Sequence, residues 1–321
     1  MRNFARLLVM LSLAGSSAAF AQAYPNRPIK VIVPWPAGQN TDPAARIVTE
    51  KLASALGQPL VVDNRPGAGG VIGSEVAAKS TADGYTILVG SIGPISVNPH
   101  VRKVGYDPLK DFAPISLIAT NPFVLVVNPS IPSNSVRELI AHLRANPGKY
   151  SFSSSGSGAI SHLMTVLFNS MAQINAVHVP YKGSSQSVTD VASGQIAYTI
   201  ESMPAILSFV KGGRVRPLAV TSAKPTEAVS GLPTIAEAGD LPGYDMSGWI
   251  GFLAPAGTPR AVTERLSAEI RKVQQAPDIS KRFIALGLDV AGNTPDEFGD
   301  FLKKQNDRYA SIVKQENVKA D

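Results

Sequence analysis

Residues 29–52 combine a strand, an open loop and a helix in an order that strongly restricts the fold. Residues 29–33 (Ile-Lys-Val-Ile-Val) form a short apolar run rich in β-branched side chains, which is typical of a buried strand. Two prolines and a glycine follow within residues 34–40, so this stretch predicts an irregular loop. The next residues predict a helix that Thr41 or Asp42 caps. This order is typical of a βα unit in an α/β sheet.

The predicted loop leaves backbone N–H groups at the N-terminus of the helix. These groups and the helix dipole together make such an end a suitable site for an anionic group of a ligand. An ordinary connection between a strand and a helix would have the same sequence pattern. Both interpretations of the segment therefore stay open.

The same pattern recurs along the chain, because five loops rich in Gly, Ser, Thr or Pro follow predicted strands and precede predicted helices. Alternating strands and helices predict an α/β fold with mostly parallel sheets. Ligands of open α/β sheets bind at the carboxyl ends of the strands. Several helix N-termini would then converge on one cleft and hold a carboxylate through N–H groups and hydroxyls. The five loops are residues 34–42, 64–70, 90–94, 153–158 and 180–185.

Two apolar segments predict that the chain crosses between two lobes. The first crossing lies near residue 122, between two apolar runs, and the return crossing lies in residues 246–254. We therefore predict a first lobe made of residues 24–122 and 248–321 and a second lobe made of residues 123–247. A cleft is expected between them.

Three further local predictions follow from the same signals. Residues 97–113 contain prolines and several polar residues and predict an irregular segment. A helix over residues 135–146 is expected to be capped by Ser133 or Asn134. A further helix is expected from about residue 187 to residue 193.

The N-terminus has the pattern of a secretory signal peptide. Two basic residues precede an apolar run over residues 7–14 that is too short to span a membrane. Small residues then allow cleavage after Ala21 or Ala23, so residues 1–23 are expected to be removed. Such a signal predicts an exported, periplasmic protein.

Composition excludes several classes of function. The 321 residues are 44% hydrophobic, which is enough for two domains with their own cores. The absence of cysteine excludes disulfides, thiolate metal sites and a cysteine nucleophile. The net charge of +6 comes from scattered basic residues, so no nucleic-acid partner is expected.

The sequence offers only weak candidates for catalysis. A serine in residues 153–157 could act as a nucleophile near His162 or His178, but the G-x-S-x-G elbow is not matched there. The four histidines lack the spacing of a zinc site, and Gly67 and Gly69 begin a dinucleotide fingerprint that no third glycine completes. We therefore expect no metal, no cofactor and no enzymatic activity. A secreted serine hydrolase stays open as an alternative, as does a ligand sensor that docks a signalling partner.

Four stretches together are similar to one known family. They are residues 33–38 (Val-Pro-Trp-Pro-Ala-Gly), 63–70 (Asp-Asn-Arg-Pro-Gly-Ala-Gly-Gly), 178–183 (His-Val-Pro-Tyr-Lys-Gly) and 251–259 (Gly-Phe-Leu-Ala-Pro-Ala-Gly-Thr-Pro). The chain resembles the Bug-type periplasmic substrate-binding proteins, which are the receptors of tripartite tricarboxylate transporters. The resemblance covers nearly all of the chain beyond the signal peptide.

This resemblance implies a type II periplasmic-binding-protein fold, in which crossing strands join two α/β lobes around a central ligand cleft. It also implies a non-enzymatic receptor that captures a small carboxylate and delivers it to membrane transporter subunits. We expect a monomer. The family usually has a glycine where this chain has Gln39 and a phenylalanine where it has Trp35. The ligand therefore stays open among aliphatic dicarboxylates, tricarboxylates, amino-acid dicarboxylates and aromatic dicarboxylates.

The resemblance also implies which residues contact the ligand. The first lobe supplies the loop from Trp35 to Asp42, and the second lobe supplies serines, a Tyr-Lys-Gly loop and an acid at a strand end. Ser91 is added because it also lies at the end of a predicted strand. The predicted ligand-binding residues are Trp35, Ala37, Gly38, Gln39, Thr41, Asp42, Ser91, Ser154, Ser155, Ser157, Tyr181, Lys182, Gly183 and Glu201.

Several of these residues have a structural alternative. Gly38 is expected to let the backbone approach a carboxylate, whereas Asp42 is expected to serve mainly as a helix cap. Trp35 either lines the cleft and favours an aromatic acid or packs against the core. Tyr181 either contacts the ligand or packs, and Lys182 either neutralises charge or lies in solvent.

Overall fold

The computed structural model describes residues 24–38 and 41–318. The predicted signal peptide, its cleavage sites and Gln39 lie outside the described residues. The strands are β1 (Ile29–Val33), β2 (Leu60–Asn64), β3 (Thr86–Ser91), β4 (Phe112–Val127), β5 (Ser151–Ser154), β6 (Val177–Pro180), β7 (Tyr198–Ser202), β8 (Arg216–Val220), β9 (Ser247–Pro255) and β10 (Asp289–Val290).

The α-helices in the described residues lie mostly between these strands in the sequence. They are α1 (Asp42–Leu56), α2 (Val71–Ala78), α3 (Asn98–Val101), α4 (Val136–Arg144), α5 (Ile160–Met171), α6 (Ser184–Ser193), α7 (Met203–Lys211), α8 (Ile235–Gly239), α9 (Arg260–Gln274), α10 (Pro277–Ala285) and α11 (Pro295–Gln315). Short 3-10 helices occupy Ala68–Gly70 and Glu227–Val229, and a π-helical turn occupies Gly93–Val97.

Strand β4 is 16 residues long and takes part in two sheets. Its residues 112–122 pair with β9, and its residues 123–127 lie between β7 and β8. Most of its residues are apolar and buried, which suits a strand covered on both faces. Strand β4 therefore joins the strands β2-β1-β3-β9 to the strands β7-β5-β6.

The strand directions place the carboxyl ends of the two sheets opposite each other. Strands β1, β2 and β3 run in the same direction as β4, because β9 is antiparallel to both β3 and β4. Strands β5, β6 and β7 run in the opposite direction, because β7 is antiparallel to β4 and parallel to β5. The carboxyl ends of β1–β3 therefore point along β4 towards the second sheet, and those of β5–β7 point back towards the first.

The pairing register locates these ends along β4. Ser91, the last residue of β3, is level with Ile250 of β9 and through it with Ala119 of β4. Ser202, the last residue of β7, is level with Phe123 of β4. The two levels, Ala119 and Phe123, are four residues apart along β4. This separation corresponds to about 13 Å at the usual rise per residue of a strand. The loops that follow the strand ends therefore lie on opposite sides of the middle of β4.

An aromatic cluster attaches the C-terminal helix to the sheet. Trp249 of β9 is 1% exposed and packs edge-to-face on Phe298 and Phe301 of α11, with ring centroids 5.6 and 6.1 Å away. Such aromatic contacts add to the free energy gained by burying the rings. The cluster therefore fixes α11 against the strand that pairs directly with β4.

Most predicted strands and helices are confirmed, but two larger expectations are wrong. The sheet is mixed rather than mostly parallel, because five of the nine strand pairings in the described ranges involve the antiparallel strands β4 and β9. Residues 97–113 are not irregular throughout, since α3 lies within them and β4 begins at Phe112. The division into two lobes stays a prediction. The relevant observation is that β4 pairs with β9 up to Pro122 and with β7 from Phe123 onwards.

Two helix starts also differ from the sequence prediction. Helix α4 is capped by Ser135 rather than Ser133 or Asn134, because Ser135 has an extended backbone and its hydroxyl accepts a hydrogen bond from the N–H of Glu138. Helix α6 begins at Ser184, three residues before the predicted start. Polar residues in its first turn concealed this boundary in the sequence.

Replacing Trp249 with alanine should lower the free energy of unfolding by about 3–5 kcal/mol, because the change leaves a cavity beside Phe298 and Phe301. Phenylalanine should cost less, since it keeps part of the aromatic packing. Urea denaturation followed by circular dichroism measures both changes. Equal stability of Trp249→Ala and the unmodified protein would show that the cluster does not anchor α11.

Candidate functional site

The loop after β1 is held by the carboxylate of Asp42. Its Oδ2 accepts hydrogen bonds from the backbone N–H of Gly38 (2.7 Å) and from Nε of Arg46 (2.8 Å). Its Oδ1 accepts one from Nδ2 of Asn64 (2.9 Å), and the same nitrogen donates to the carbonyl oxygen of Trp35 (2.9 Å). These bonds tie both ends of the loop to α1 and β2.

Asp42 is charged and serves as an anchor, not as a helix cap. Burial alone would raise the pKa of Asp42, but the hydrogen bonds from Arg46, Gly38 and Asn64 outweigh burial and lower the pKa below its ordinary value. Thr41 occupies the N-cap position of α1, and no side chain caps the helix. The predicted cap is therefore wrong, because the carboxylate of Asp42 turns back to the loop.

Other residues beside this loop keep uncommitted polar groups. Oγ1 of Thr41 is buried and has no hydrogen-bond partner among the described residues. Nε1 of Trp35 lies 3.4 Å from Oγ of Ser91, at the weak limit of a hydrogen bond. Ala37 and Gly38 are exposed, but the N–H of Gly38 is already donated to Asp42. We call Trp35, Ala37, Gly38, Thr41, Asp42 and Ser91 the first loop group.

The end of β5 places two adjacent serines in different environments. Ser154 is buried, its hydroxyl donates to the carbonyl oxygen of Gly156 (3.0 Å), and its Oγ lies 2.7 Å from Nε2 of His178. Ser155 is half-buried, and its Oγ lies 2.9 Å from Oγ of Ser161, which also accepts the N–H of Ser155 (3.0 Å). Ser154 therefore shapes the loop, whereas Ser155 lies at its surface.

Two stacked imidazoles contact the loop that follows β5. The rings of His162 and His178 are 3.7 Å apart and nearly parallel, and Phe152 stacks on His178 at 4.9 Å. Nδ1 of His162 accepts a hydrogen bond from the N–H of Gly158 (3.1 Å). His162 thus lies within α5, and His178 lies in β6.

The Tyr-Lys-Gly loop precedes α6. The hydroxyl of Tyr181 donates to Oδ2 of Asp190 (2.5 Å), and burial together with Asp190 raises the pKa of Tyr181 to about 12. This hydroxyl is thus committed within the protein, which favours a packing role for Tyr181. Lys182 is exposed, and Gly183 has a φ of 129°, a conformation that favours glycine at the start of α6.

Glu201 is a buried carboxyl at the end of β7. Its side chain is 1% exposed, and its Oε2 accepts a hydrogen bond from Oγ of Ser184 in the first turn of α6 (2.9 Å). Its Oε1 has no hydrogen-bond partner among the described residues. Burial raises the pKa of Glu201 to about 7, against the lowering effect of Ser184, Ser161 and the N–H of Ser202. The carboxyl therefore changes charge near neutral pH.

The structure thus brings the predicted residues into two sets. The second loop group consists of Ser154, Ser155, Ser157, Tyr181, Lys182, Gly183 and Glu201. Within residues 24–38 and 41–318, no hydrogen bond joins this group to the first loop group, which lies on the other side of the middle of β4. The sequence prediction missed Asn64, Ser161 and Ser184, whose polar side chains hold the predicted residues in place. Their only signals were the positions of Ser161 and Ser184 at helix starts and of Asn64 at the end of β2.

The contact between Ser154 and His178 does not make a hydrolase site. A nucleophilic serine must present its oxygen to a substrate. Ser154 is buried, and its hydroxyl donates to the carbonyl of Gly156. The described part of the chain also contains no group of three or more His, Asp or Glu side chains that could hold a metal ion. No helix in that part is long and apolar enough to cross a bilayer.

Comparison with known sequences identifies close relatives. A family model described as "Tripartite tricarboxylate transporter family receptor" matches residues 44–318. A protein of Pseudomonas sp. (strain P51), described as a UPF0065 protein in the tcbD-tcbE intergenic region, is 38% identical, over 100% of this chain and 95% of its own. Protein BugT of Bordetella pertussis (strain Tohama I) is 37% identical, over 99% of each chain. These matches confirm the resemblance to Bug-type receptors.

Solved structures confirm the predicted periplasmic-binding-protein fold. R. palustris Rpa4515 with adipate is 35% identical, with a TM-score of 0.78 over 92% of this chain and 99% of that chain. MatC from Rhodopseudomonas palustris with bound malate is 27% identical, with a TM-score of 0.73 over 90% and 100%. A structure described as a periplasmic transporter is 38% identical, with a TM-score of 0.77 over 93% and 100%. The family comprises solute-binding receptors, not enzymes, in agreement with the sequence prediction.

Replacing Asp42 with alanine should destabilise the protein by about 2–4 kcal/mol near neutral pH, because three donors lose a charged acceptor. The folded-state pKa of Asp42 is lowered, so this contribution is present above the ordinary aspartate pKa and is lost as the pH falls through the folded-state pKa. Urea denaturation at about pH 7 and about pH 3 should therefore show a smaller difference at the lower pH.

Asp63→Ala is the matched control for Asp42. Asp63 pairs with Arg65 near the surface, where the two side chains are 25% and 53% exposed. Loss of such a pair should cost less than about 1 kcal/mol. An equally small loss in Asp42→Ala would contradict the anchoring role.

Glu201→Gln should alter the pH dependence of stability. The folded-state pKa of Glu201 is raised from 4.5 to about 7, so the folded protein becomes less stable as the pH rises between these values. The glutamine variant lacks this loss. Relative to the unmodified protein, it should gain up to about 3 kcal/mol between about pH 5 and about pH 8. Parallel pH profiles from urea denaturation of the two proteins would overturn this prediction.

Proposed function

The chain belongs to the tripartite tricarboxylate transporter receptor family, and from this premise we propose that it captures a small carboxylate between its two loop groups and delivers it to membrane transporter subunits. The chain is a periplasmic solute-binding receptor, as its family is. Export through the predicted signal peptide 1–23, a monomeric state and delivery to the transporter are parts of the proposal. The family match supports the delivery step.

The opposed strand ends are the observation that carries the proposal. Strands β3 and β7 end about 13 Å apart along β4. Helices α1, α5, α6 and α7 follow β1, β5, β6 and β7 in the same two sets of strands, and none of the four has a side-chain cap. Their first N–H groups and their dipoles favour an anionic group on each side. Helices α9 and α10 are also uncapped, so the positions of the four helix starts, and not the lack of caps alone, favour an anion here.

The two loop groups contain one residue each that is best suited to direct contact. Thr41 has a buried hydroxyl without a partner, so it can donate to a ligand oxygen at the start of α1. Ser155 lies at the surface of its loop beside the start of α5. Asp42 and Ser154 are positioning residues, because their polar atoms hold the loops.

Relatives support a ligand with two carboxylates. The structures of Rpa4515 with adipate and of MatC with bound malate contain dicarboxylates. A dicarboxylate could place one group against each set of helix starts. Trp35 lies beside Ser91 at the first set, and we propose that it forms a wall of the ligand site. An aromatic acid would use this wall more fully than an aliphatic one.

The protein without residues 1–23 should bind a dicarboxylate, and its melting temperature should rise with ligand concentration. The panel should contain adipate, malate, succinate, citrate, benzoate and terephthalate. Thr41→Val and Ser155→Ala should each weaken binding about tenfold, because each removes one hydrogen bond to a charged group. Isothermal titration calorimetry measures the affinities.

Ser185→Ala is the matched control, because Ser185 is an exposed serine in the first turn of α6. It should bind as the unmodified protein does. In a Trp249→Phe background, Trp35 is the single tryptophan, so its fluorescence reports directly on the first loop group. Absence of binding to every acid would overturn the proposed function. Normal binding by both Thr41→Val and Ser155→Ala would overturn the assignment of contacts.

A further inference from the structure

Helix α2 exposes an apolar stripe to solvent. Its Ile72 and Val76 are 49% and 43% exposed and lie one turn apart on the same side of the helix, whereas Gly73 and Ala77 are buried. In the part of the chain that the structure describes, no other helix exposes two large apolar side chains. Exposed apolar residues that are grouped in this way mark an interaction surface more often than single exposed residues do.

Strand β2 adds a third apolar side chain to the same side of the sheet. Val61 is 54% exposed and is level with Lys30 of β1. Ile32, two residues further along β1, belongs to the buried cluster that contains Val71 and Ala77 of α2. Alternate residues of a strand face the same side, so Val61 and Lys30 also face the side on which α2 lies. We call Val61 and the two exposed apolar residues of α2 the α2 face.

Basic side chains border the α2 face. Lys79 directly follows α2, is exposed, and lies on the same side of the helix as Ile72 and Val76. Lys30 is exposed beside Val61. A long basic side chain next to exposed apolar groups suits a partner that carries carboxylates around its own apolar contact.

Two more basic residues lie beside the helix. The N–H of Gly105 donates to Oε1 of Glu75 on α2 (2.7 Å), which holds the segment before Gly105 against the helix. Arg102 and Lys103 of that segment are exposed. Within residues 24–38 and 41–318, neither they nor the two lysines of the α2 face border form an ion pair. These four positive charges are therefore available to an acidic partner.

The acids on this side of the sheet are already bound within the protein. Asp63 faces the same side as Val61, and its carboxylate pairs with Arg65 (3.0 Å). Glu75 accepts the N–H of Gly105. The surface around the α2 face thus has a net positive charge.

Helix α2 also packs directly on the first ligand loop. A Cβ at Gly73 would lie 2.9 Å from Cα of Pro34 and 2.6 Å from the carbonyl oxygen of Arg65, so only glycine allows this approach. Pro34 directly precedes Trp35 of the first loop group. A partner on the α2 face would therefore be separated from the first loop group by the thickness of one helix, about 10 Å.

We propose that the α2 face docks the membrane transporter subunit to which the receptor delivers its ligand, and that this subunit presents an apolar side chain surrounded by Asp and Glu residues. The inference rests on the proposed function, because it requires delivery. A helix of eight residues is about 12 Å long, and such a small contact suits a receptor that must leave the transporter after each delivery.

Uptake of radiolabelled adipate by cells tests the proposal. The cells contain the membrane subunits and lack the chromosomal gene for the receptor, so uptake depends on the receptor supplied. If adipate does not bind, the acid of the panel with the highest affinity replaces it. Combined Ile72→Glu and Val76→Glu should lower uptake at least about tenfold, because two carboxylates replace apolar contacts and repel the acidic partner. Calorimetric affinity for the same acid should stay within about twofold.

Ile284→Glu is the matched control. Ile284 is an exposed apolar residue of α10, and its neighbour Phe283 belongs to the buried cluster on the other side of the same sheet, with Val31. This variant should support normal uptake. Lys79→Glu should lower uptake, and Lys79→Arg should restore it, because arginine keeps the positive charge.

The outcomes distinguish the docking surface from the proposed function. Normal uptake with the combined Ile72→Glu and Val76→Glu variant would overturn the docking surface while the receptor function stands. Absence of binding to every acid of the panel would overturn the proposed function itself. Ligand binding without receptor-dependent uptake would overturn both the delivery step and the docking surface.

Photocrosslinking identifies what contacts the α2 face. p-Benzoylphenylalanine in place of Val76 should crosslink to a membrane subunit of the transporter, identified by mass spectrometry, and the same residue in place of Ile284 should not. A crosslink between two receptor chains would show instead that the surface joins copies of this protein. Binding to phosphatidylglycerol vesicles that lack the subunits, lost with Val76→Glu, would show that the surface contacts lipid. Either result would overturn the proposal.

Discussion

The hydrogen bonding of β4 to two sets of strands is the constraint on which the rest of the structure depends. Residues 112–122 extend one sheet through β9, and residues 123–127 extend the other through β7 and β8. Because β4 is parallel to β1–β3 and antiparallel to β7, the carboxyl ends of both sheets meet near its middle. The helix starts follow these ends, so a single strand determines where uncapped helix N-termini collect.

The polar residues of the two loop groups divide into those that hold the loops and those that remain available. Asp42 uses both oxygens to fix the loop after β1, and Ser154 and Tyr181 make their hydrogen bonds within the protein. Each of these residues uses its donor or acceptor within the protein, so that group is not available to a ligand. Thr41 keeps an unpartnered hydroxyl at the start of α1, whereas Ser155 lies half-buried beside the start of α5 with its hydroxyl on Ser161. Groups held in place in this way are preorganised, which lowers the entropic cost of binding.

Glu201 gives the second loop group a property that the first lacks. Asp42 is held charged by Arg46, whereas Glu201 is buried beside hydroxyls and has no cationic partner among the groups that shift its pKa. A buried carboxyl without such a partner favours its neutral form. The two acids therefore differ in their electrostatics, since Asp42 fixes a loop through its charge and burial favours the neutral form of Glu201.

The local structure and the family can both be predicted from the order of the residues. Apolar runs such as residues 29–33, the punctuation by Pro and Gly, and four recognisable motifs were enough to predict the βα units and the type of receptor. Which polar atoms stay free depends on how the folded chain packs. The anchoring of Asp42 depends on Asn64, 22 residues away, and Ser154 and Glu201 contact His178 and Ser184, 24 and 17 residues away. Hydrogen bonds between such residues form only when strand pairing brings their loops together, and periodicity along the chain does not contain that information.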